Sequence, residues 1–214
     1  KPLPVLDSAI PLSAYIPFDL SESNSDLNHI DTASSMAWEE YINNYLIKHN
    51  KTGAYGGYCE QRSIYKRSSY FNYENSDDER NIHLGLDLWI EANSKVYAPL
   101  DGTVHSFKNN TNFGDYGPTL ILQHTIKGEV FYSLYGHLSL NSISALQVGQ
   151  RFKAGDCIAT VGDSEINGDY APHLHFQLIK EIKAYYGDYP GVCSKKNLDK
   201  FIKNSPDPKT LLKL

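Results

Sequence analysis

From about residue 62 the chain is a succession of short β-branched and aromatic runs separated by turns such as LDG, NNTNFGDYG, IKG and INGD. Short strands spaced in this way pack as an antiparallel sandwich or barrel. The pattern predicts strands near residues 63–73, 82–90, 95–98, 102–108, 118–126, 129–138, 157–162 and 173–180. Sixteen tyrosines, eight phenylalanines and fifteen glycines against one methionine fit the same reading, because aromatic residues favour pleated surfaces and glycine favours turns. The sequence shows neither βαβ alternation nor a phosphate-binding glycine loop, which argues against a nucleotide-binding α/β fold. The expected class is therefore mainly β (β+α): an antiparallel, sandwich-like core with an N-terminal helical and extended region and a short C-terminal helix.

The N-terminal region has a different texture. Residues 1–30 are rich in Pro, Ser, Asp and Asn and read as an extended arm lying on the domain. Next, Trp38, Tyr41, Ile42, Tyr45 and Leu46 follow helical spacing, with Glu39, Glu40, Asn43 and Asn44 opposite. Asp31, Thr32 or Ser34 can cap this helix, and the glycines of KHNKTGAYGGY follow its basic end. Near the C-terminus, SKKNLDKFIKNSPDPK predicts a short helix starting around Ser194, with Leu198, Phe201 and Ile202 on one side and the prolines as its stop. The chain thus divides into an arm and helix (1–61), a β-domain (62–190) and a C-terminal extension (191–214).

Charge and composition exclude several partners. A net charge of −5 with no Lys/Arg cluster argues against nucleic acid and anionic membrane surfaces. No apolar run is long enough to span a bilayer. Three separated cysteines, Cys59, Cys157 and Cys193, allow at most one intrachain disulfide, and they read as reduced thiols, which leans toward a reducing compartment.

The chemistry concentrates in the histidines. In APHLHFQLIK (residues 171–180), an extended chain places His173, His175 and Gln177 on one face and Leu174, Phe176 and Leu178 on the other. Neighbours two apart on a strand face lie about 6.6 Å apart, so one imidazole can bind a metal while the other touches its water. NIHLGLDLW adds His83 and Asp87, and LYGHLSL adds His137. On a straight strand the α-carbons of His83 and Asp87 would stand about 13 Å apart, so the chain must bend between them. Gly85 sits midway and supplies the needed backbone freedom. Alternation in VFYSLYGHLSL puts Tyr135, His137 and Ser139 on one face and Leu134 and Leu138 on the other. Two imidazoles and a carboxylate make a donor set for a catalytic zinc with one open position, although iron also accepts such a set. His105 and His124 lie in no such motif and read as structural, and His29 and His49 read as surface residues.

The segments HLGLD, YAPLDGTV, LYGHLSL, VGQRFKAGDCIATVGD and PHLHFQL, in this order, resemble the core of the lysostaphin-type zinc peptidases, which cut cell-wall peptides. The resemblance covers about residues 80–180. It implies one zinc ion held by His83, Asp87 and His175, with His137 and His173 as catalytic residues. It further implies a metalloendopeptidase acting on peptidoglycan cross-links or related peptides; the chain is expected to be a monomer. By the same resemblance the compartment is the cell envelope or the exterior, whereas a chain with no signal peptide removed upstream of Lys1 would be cytoplasmic. Two departures stand out: EANSK after HLGLDLW, and the insertion KNNTNFGDYG between two strands. The flanking regions resemble a branch whose modules also occur fused to aminotransferase and phosphotransferase domains, which keeps open a peptidase or amidase acting on small intracellular peptides. A non-catalytic zinc- or peptide-binding module is the other alternative. YAPLDGTV with VGQRFKAGD is also similar to biotinyl and lipoyl carrier domains, but no Met-Lys attachment site is present.

Overall fold

The computed structural model describes residues 4–68 and 78–214. Within them the strands are β1 (Tyr15–Pro17), β2 (Gly53–Gly56), β3 (Ile82–His83), β4 (Leu86–Trp89), β5 (Lys95–Tyr97), β6 (Gly102–Asn110), β7 (Gly117–Ile126), β8 (Glu129–Gly136), β9 (Arg151–Phe152), β10 (Cys157–Thr160), β11 (His173–Ile179) and β12 (Val192–Cys193). The α-helices are α1 (Ser35–His49), α2 (Asn141–Ser144), α3 (Leu198–Asn204) and α4 (Lys209–Leu212). Eight strands form one sheet in the order β1-β2-β4-β11-β8-β7-β6-β9, while β5 with β10 and β3 with β12 form two-stranded sheets. The protein is mainly β, as expected.

The large sheet is mixed rather than wholly antiparallel, because β1 and β2 run parallel. A parallel pair needs a crossover, and α1 provides it, so the chain does contain one β-α-β unit. The sequence hides that unit because β1 is three residues of the proline-rich arm, too short to show alternation. Helix α1 forms where its pattern predicts. Ser34 caps it, its hydroxyl accepting from the Ala37 amide at 3.2 Å, and Asn50 ends it in the left-handed conformation (φ 52°). Trp38, Ile42 and Leu46 are its buried stripe.

The central strands β4 and β11 are buried along their whole length, and alternation sorts their two faces. Leu86 and Leu88 join Leu174, Phe176 and Leu178 in the main core, which continues through Val96, Ile158 and Val161 of the β5–β10 layer and its flanks. Each of these buried side chains contributes roughly 1.5–3 kcal/mol relative to exposure. Asp87, Trp89, His173, His175 and Gln177 occupy the other face. There the N-terminal residues Phe18, Leu20, Trp38 and Ile42 pack with Trp89 and Ala171 in a second cluster.

Two expectations change in detail. Residues 63–67 form a 3-10 turn rather than a strand, because the turn buries Ile64 and Tyr65 side by side against α1, and tertiary packing overrides strand propensity. The remainder of that expected strand, 69–73, lies outside the described residues. The expected C-terminal helix is a 3-10 turn (Lys195–Asn197) leading into α3, and α4 follows the prolines. The three cysteines are free: Cys59 and Cys157 are exposed and Cys193 is buried.

His124, on β7, is buried and structural, as its lack of a motif suggests. Its Nδ1 donates to the Asp101 carbonyl at 2.7 Å and its Nε2 lies 2.7 Å from the Ser133 hydroxyl. Burial holds its pKa below the usual imidazole value, so the folded state resists a proton that the unfolded chain accepts. The stability this contributes is complete above about pH 6.5 and is lost as pH falls through the depressed folded pKa. Melting curves of His124→Gln should therefore show a shallower loss of Tm on acidification than wild type; parallel curves would refute the assignment.

Candidate metal centre

Register brings the donors together. In the β4–β11 pair, His175 stands directly opposite Asp87 and His173 opposite Trp89. The chain before Asp87 bends at Leu84–Gly85, so β3 leaves the large sheet to pair with β12 and His83 swings back beside Asp87. Only glycine fits at the bend: a Cβ on Gly85 would lie 2.4 Å from His175 Cε1.

His83, Asp87 and His175 form a group of donor atoms all within 4.8 Å of one another. His83 Nε2 is 2.9 Å from His175 Nδ1, and Asp87 Oδ1 lies 3.2 Å from each of those nitrogens. Which nitrogens carry protons follows from the outer partners. His83 Nδ1 faces the Gly57 carbonyl at 2.9 Å, and a carbonyl only accepts, so the proton is on Nδ1. His175 Nε2 faces Gln177 Oε1 at 2.9 Å, an orientation fixed by the Gln177 amide donating to Pro190 O and Ser205 Oγ. That proton is therefore on Nε2. These neutral tautomers point two imidazole lone pairs and a carboxylate oxygen at one place, and Asp87 Oδ1, fully buried, has no hydrogen-bond partner. Such an arrangement is unfavourable by itself and is relieved by a cation. The spacings approach the edge of about 3.3 Å for a tetrahedron with bonds of about 2.0–2.1 Å, so the residues present fit a metal ion.

Electrostatics prepare the same state. Burial pushes His83 down to about 4, outweighing its attraction to Asp87, so the ring is neutral near pH 7, as a ligand must be. Burial alone would raise Asp87, but the neighbouring imidazoles and Arg62 hold its carboxyl well below the usual range. With His83 uncharged at neutral pH, the permanent cation in that group is Arg62, whose Nη1 donates to Asp87 Oδ2 at 2.6 Å.

The other two histidines face the same space. His173 Nδ1 donates to Ala171 O at 2.7 Å and His137 Nδ1 to Asn167 O at 2.6 Å, which leaves Nε2 of each ring without a proton. The rings are 4.2 Å apart, and His173 Nε2 is 3.8 Å from Asp87 Oδ1. Burial lowers both pKa values. His137 reaches the site differently from the expected alternation. Tyr135 belongs to the main core with Leu138, whereas Leu134 faces the opposite cluster. Strand β8 ends at Gly136, and His137 takes a left-handed conformation (φ 60°), which turns its ring off the Tyr135 face.

A cavity of about 250 Å³ opens over these groups, walled by Trp38, Trp89, Tyr65, Tyr116 and Tyr170 among others. Tyr116 comes from the KNNTNFGDYG insertion, and its hydroxyl donates to Tyr189 O at 3.1 Å. Arg62, Gly57 and Tyr116 carry no motif that marks them in the sequence, whereas Gln177 already shared the histidine face in the strand pattern.

Residues 81–186 match the model of peptidase family M23. This β-core with a buried His-Asp-His centre is a domain of that family, and the chain belongs to it over that span. An uncharacterized metalloprotease of Haemophilus influenzae is 34% identical over 95 residues, which are 44% of this chain; the match spans 18% of that relative's length. Among solved structures, the catalytic domain of the antimicrobial peptidase lysostaphin from Staphylococcus simulans is 23% identical with a TM-score of 0.46, covering 82% of this chain and 98% of that one. A zinc-containing peptidase from Vibrio cholerae is 27% identical with a TM-score of 0.37, covering 49% of this chain and 31% of that one.

Replacing His83, Asp87 or His175 by Ala should abolish stoichiometric metal in the purified protein, read by elemental analysis; full retention in any of the three would remove that residue from the donor set. Gly85→Ala should keep all three donors yet weaken metal binding on the order of 10-fold or more, because the new methyl displaces the His175 ring.

Proposed function

We propose that the chain is a monomeric, zinc-dependent metalloendopeptidase that hydrolyses peptide bonds in peptidoglycan cross-links or related peptides. The observation that carries the reading is the convergence of His83 Nε2, His175 Nδ1 and Asp87 Oδ1 beside two further buried histidines, inside a peptidase family M23 domain. In this reading residues 62–190 are the peptidase domain, residues 1–61 pack on it, and 191–214 extend it. His83, Asp87 and His175 hold the ion. Zinc suits two imidazoles and a carboxylate, and when bound it acts as a Lewis acid that polarises a peptide carbonyl and acidifies water.

The chain's own residues then move protons. His173, anchored through Nδ1 on Ala171 O, offers Nε2 to accept a proton from the attacking water. Burial depresses its pKa, so it is free of a proton near neutrality, as a general base must be. His137, anchored on Asn167 O, presents its Nε2 to the same space. Either ring, once protonated, becomes an N–H donor to the developing oxyanion or to the leaving amine. Trp89, stacked on His173 with 27° between the planes, limits the swing of that ring.

A second reading concerns substrate size. Leu20, Trp38 and Ile42 line the cavity, so the N-terminal region walls one side of the site, which favours short peptides over a long polymer. No helix among the described residues is long and apolar enough to cross a membrane. The net charge of −5 supports a substrate other than nucleic acid.

The decisive experiment is turnover of cross-linked muropeptides and short peptides by the zinc-loaded chain, before and after chelation. Chelator-sensitive cleavage restored by zinc is expected, and no cleavage of any member of the panel by a fully loaded protein would refute the enzyme reading. His173→Ala and His137→Ala should retain zinc and lower kcat by about 10²–10⁴-fold. Wild-type kcat in either would remove that histidine from proton transfer.

A further inference from the structure

The segment Gly57–Arg62 precedes the family match, yet it touches two of the three proposed ligands. Its backbone runs beside β3: the Cys59 amide donates to His83 O, the His83 amide to Glu60 O and the Arg62 amide to Asn81 O, at 2.9, 2.9 and 2.8 Å. Gly57 supplies the carbonyl that fixes the His83 tautomer. A Cβ at Gly57 would lie 2.0 Å from Arg62 Nη2 and 2.9 Å from His83 Nδ1, at a φ of 101°, so glycine is what permits this approach. Arg62, 4% exposed, donates from Nη1 to Asp87 Oδ2 and from Nε to Glu60 Oε2, both at 2.6 Å. The second Glu60 oxygen accepts from the Leu20 amide at 3.1 Å.

We infer that Glu60 and Arg62 are a positioning relay for Asp87: Arg62 occupies the outer carboxylate oxygen so that only Oδ1 is offered to a metal ion, and Glu60 holds and neutralises the guanidinium. The inference rests on reading His83, Asp87 and His175 as a metal centre. The geometry explains why the relay has two members. A lone arginine beside Asp87 would orient the carboxylate but place a positive charge next to a site that must accept a dication. With Glu60 attached, the Glu60–Arg62–Asp87 chain carries a formal net charge of −1, the same as Asp87 alone, so orientation is gained without repelling the ion. The planar guanidinium is suited to hold two carboxylates at fixed angles through different nitrogens, which an ammonium is not. The rival explanation is a buried ion pair that serves packing alone, and buried pairs are weak evidence of a stabilising role.

Glu60→Gln and Arg62→Lys in the full chain separate the two. Zinc affinity of each metal-free protein is measured by competition with a chromogenic chelator, the cobalt-loaded proteins are compared by visible absorption, and metal-free melting reports the fold. The relay predicts zinc binding weaker by about 10–100-fold in both variants. It also predicts an altered cobalt spectrum in Arg62→Lys, where Asp87 is free to turn its second oxygen to the ion. A packing role lowers Tm but leaves the zinc Kd of the folded protein and the cobalt spectrum at wild-type values, and that result overturns the relay. Should Arg62→Lys fail to fold, Glu60→Gln, at the outer end of the chain, decides alone: a wild-type zinc Kd there overturns the inference. A wild-type chain that binds no divalent ion would instead overturn the metal-centre reading, and the relay with it.

Discussion

Two imidazole nitrogens and a carboxylate oxygen crowded onto one buried point are the constraint around which this molecule is built. His83 Nε2, His175 Nδ1 and Asp87 Oδ1 stand within 3.2 Å of one another, and each is kept from relaxing by something behind it. Asp87 and His175 are direct cross-strand partners, and the opposite faces of the same strands carry Leu86, Leu88, Leu174 and Phe176, all 2% exposed or less. Moving a donor away means moving a strand out of a close-packed core, which costs more than the local repulsion gains. The repulsion therefore persists as a standing preference for a cation. A cation that binds this native arrangement and not the unfolded chain stabilises the fold by mass action.

Two local departures from regular strand geometry make the convergence possible. The bend at Gly85 brings the i and i+4 residues His83 and Asp87 to one point, which no straight strand allows, and it brings the glycine backbone against the face of His175. At His137 the left-handed backbone is unfavourable for a residue with a Cβ, by roughly 1–2 kcal/mol. It is held by amide bonds on either side, from the His137 amide to Tyr116 O and from the Leu138 amide to Pro118 O, at 2.8 and 3.0 Å. Strain kept in place by surrounding hydrogen bonds, beside a cluster of buried titratable groups, is a feature of functional sites.

What could be read from the sequence follows the range of the interactions involved. The alternation of PHLHFQL, the helical spacing around Trp38 and the glycine of HLGLD are local patterns, and each became the element it suggested. The turn at His137 was not legible, because alternation through Tyr135 predicts the wrong face and only the contacts of Tyr116 and Pro118 reverse it. The β1–α1–β2 crossover was hidden because β1 is too short to alternate. Arg62 was invisible for a different reason. A lone arginine in CEQRSIY has no periodic or motif signature, and its partner Asp87 lies 25 residues away. Its role arises only once the β3 ladder sets the two side by side.

The N-terminal region consequently bears on the chemistry as well as on the packing. Trp38, Ile42 and Leu20 share one apolar cluster with Trp89 and Ala171. Trp89 in turn stacks on His173, and Ala171 provides the carbonyl that holds the His173 proton on Nδ1. Phe18 meets Trp89 edge-on with ring centroids 5.2 Å apart, so the two residues that contact His173, Trp89 and Ala171, are themselves packed against side chains from before position 81. Gly57 behind His83 and Arg62 behind Asp87 place the outer supports of two site residues in a part of the chain that the family match does not include. The common core supplies the candidate donors, and the preceding segment fixes the His83 tautomer, holds the outer oxygen of Asp87 and walls one side of the cavity.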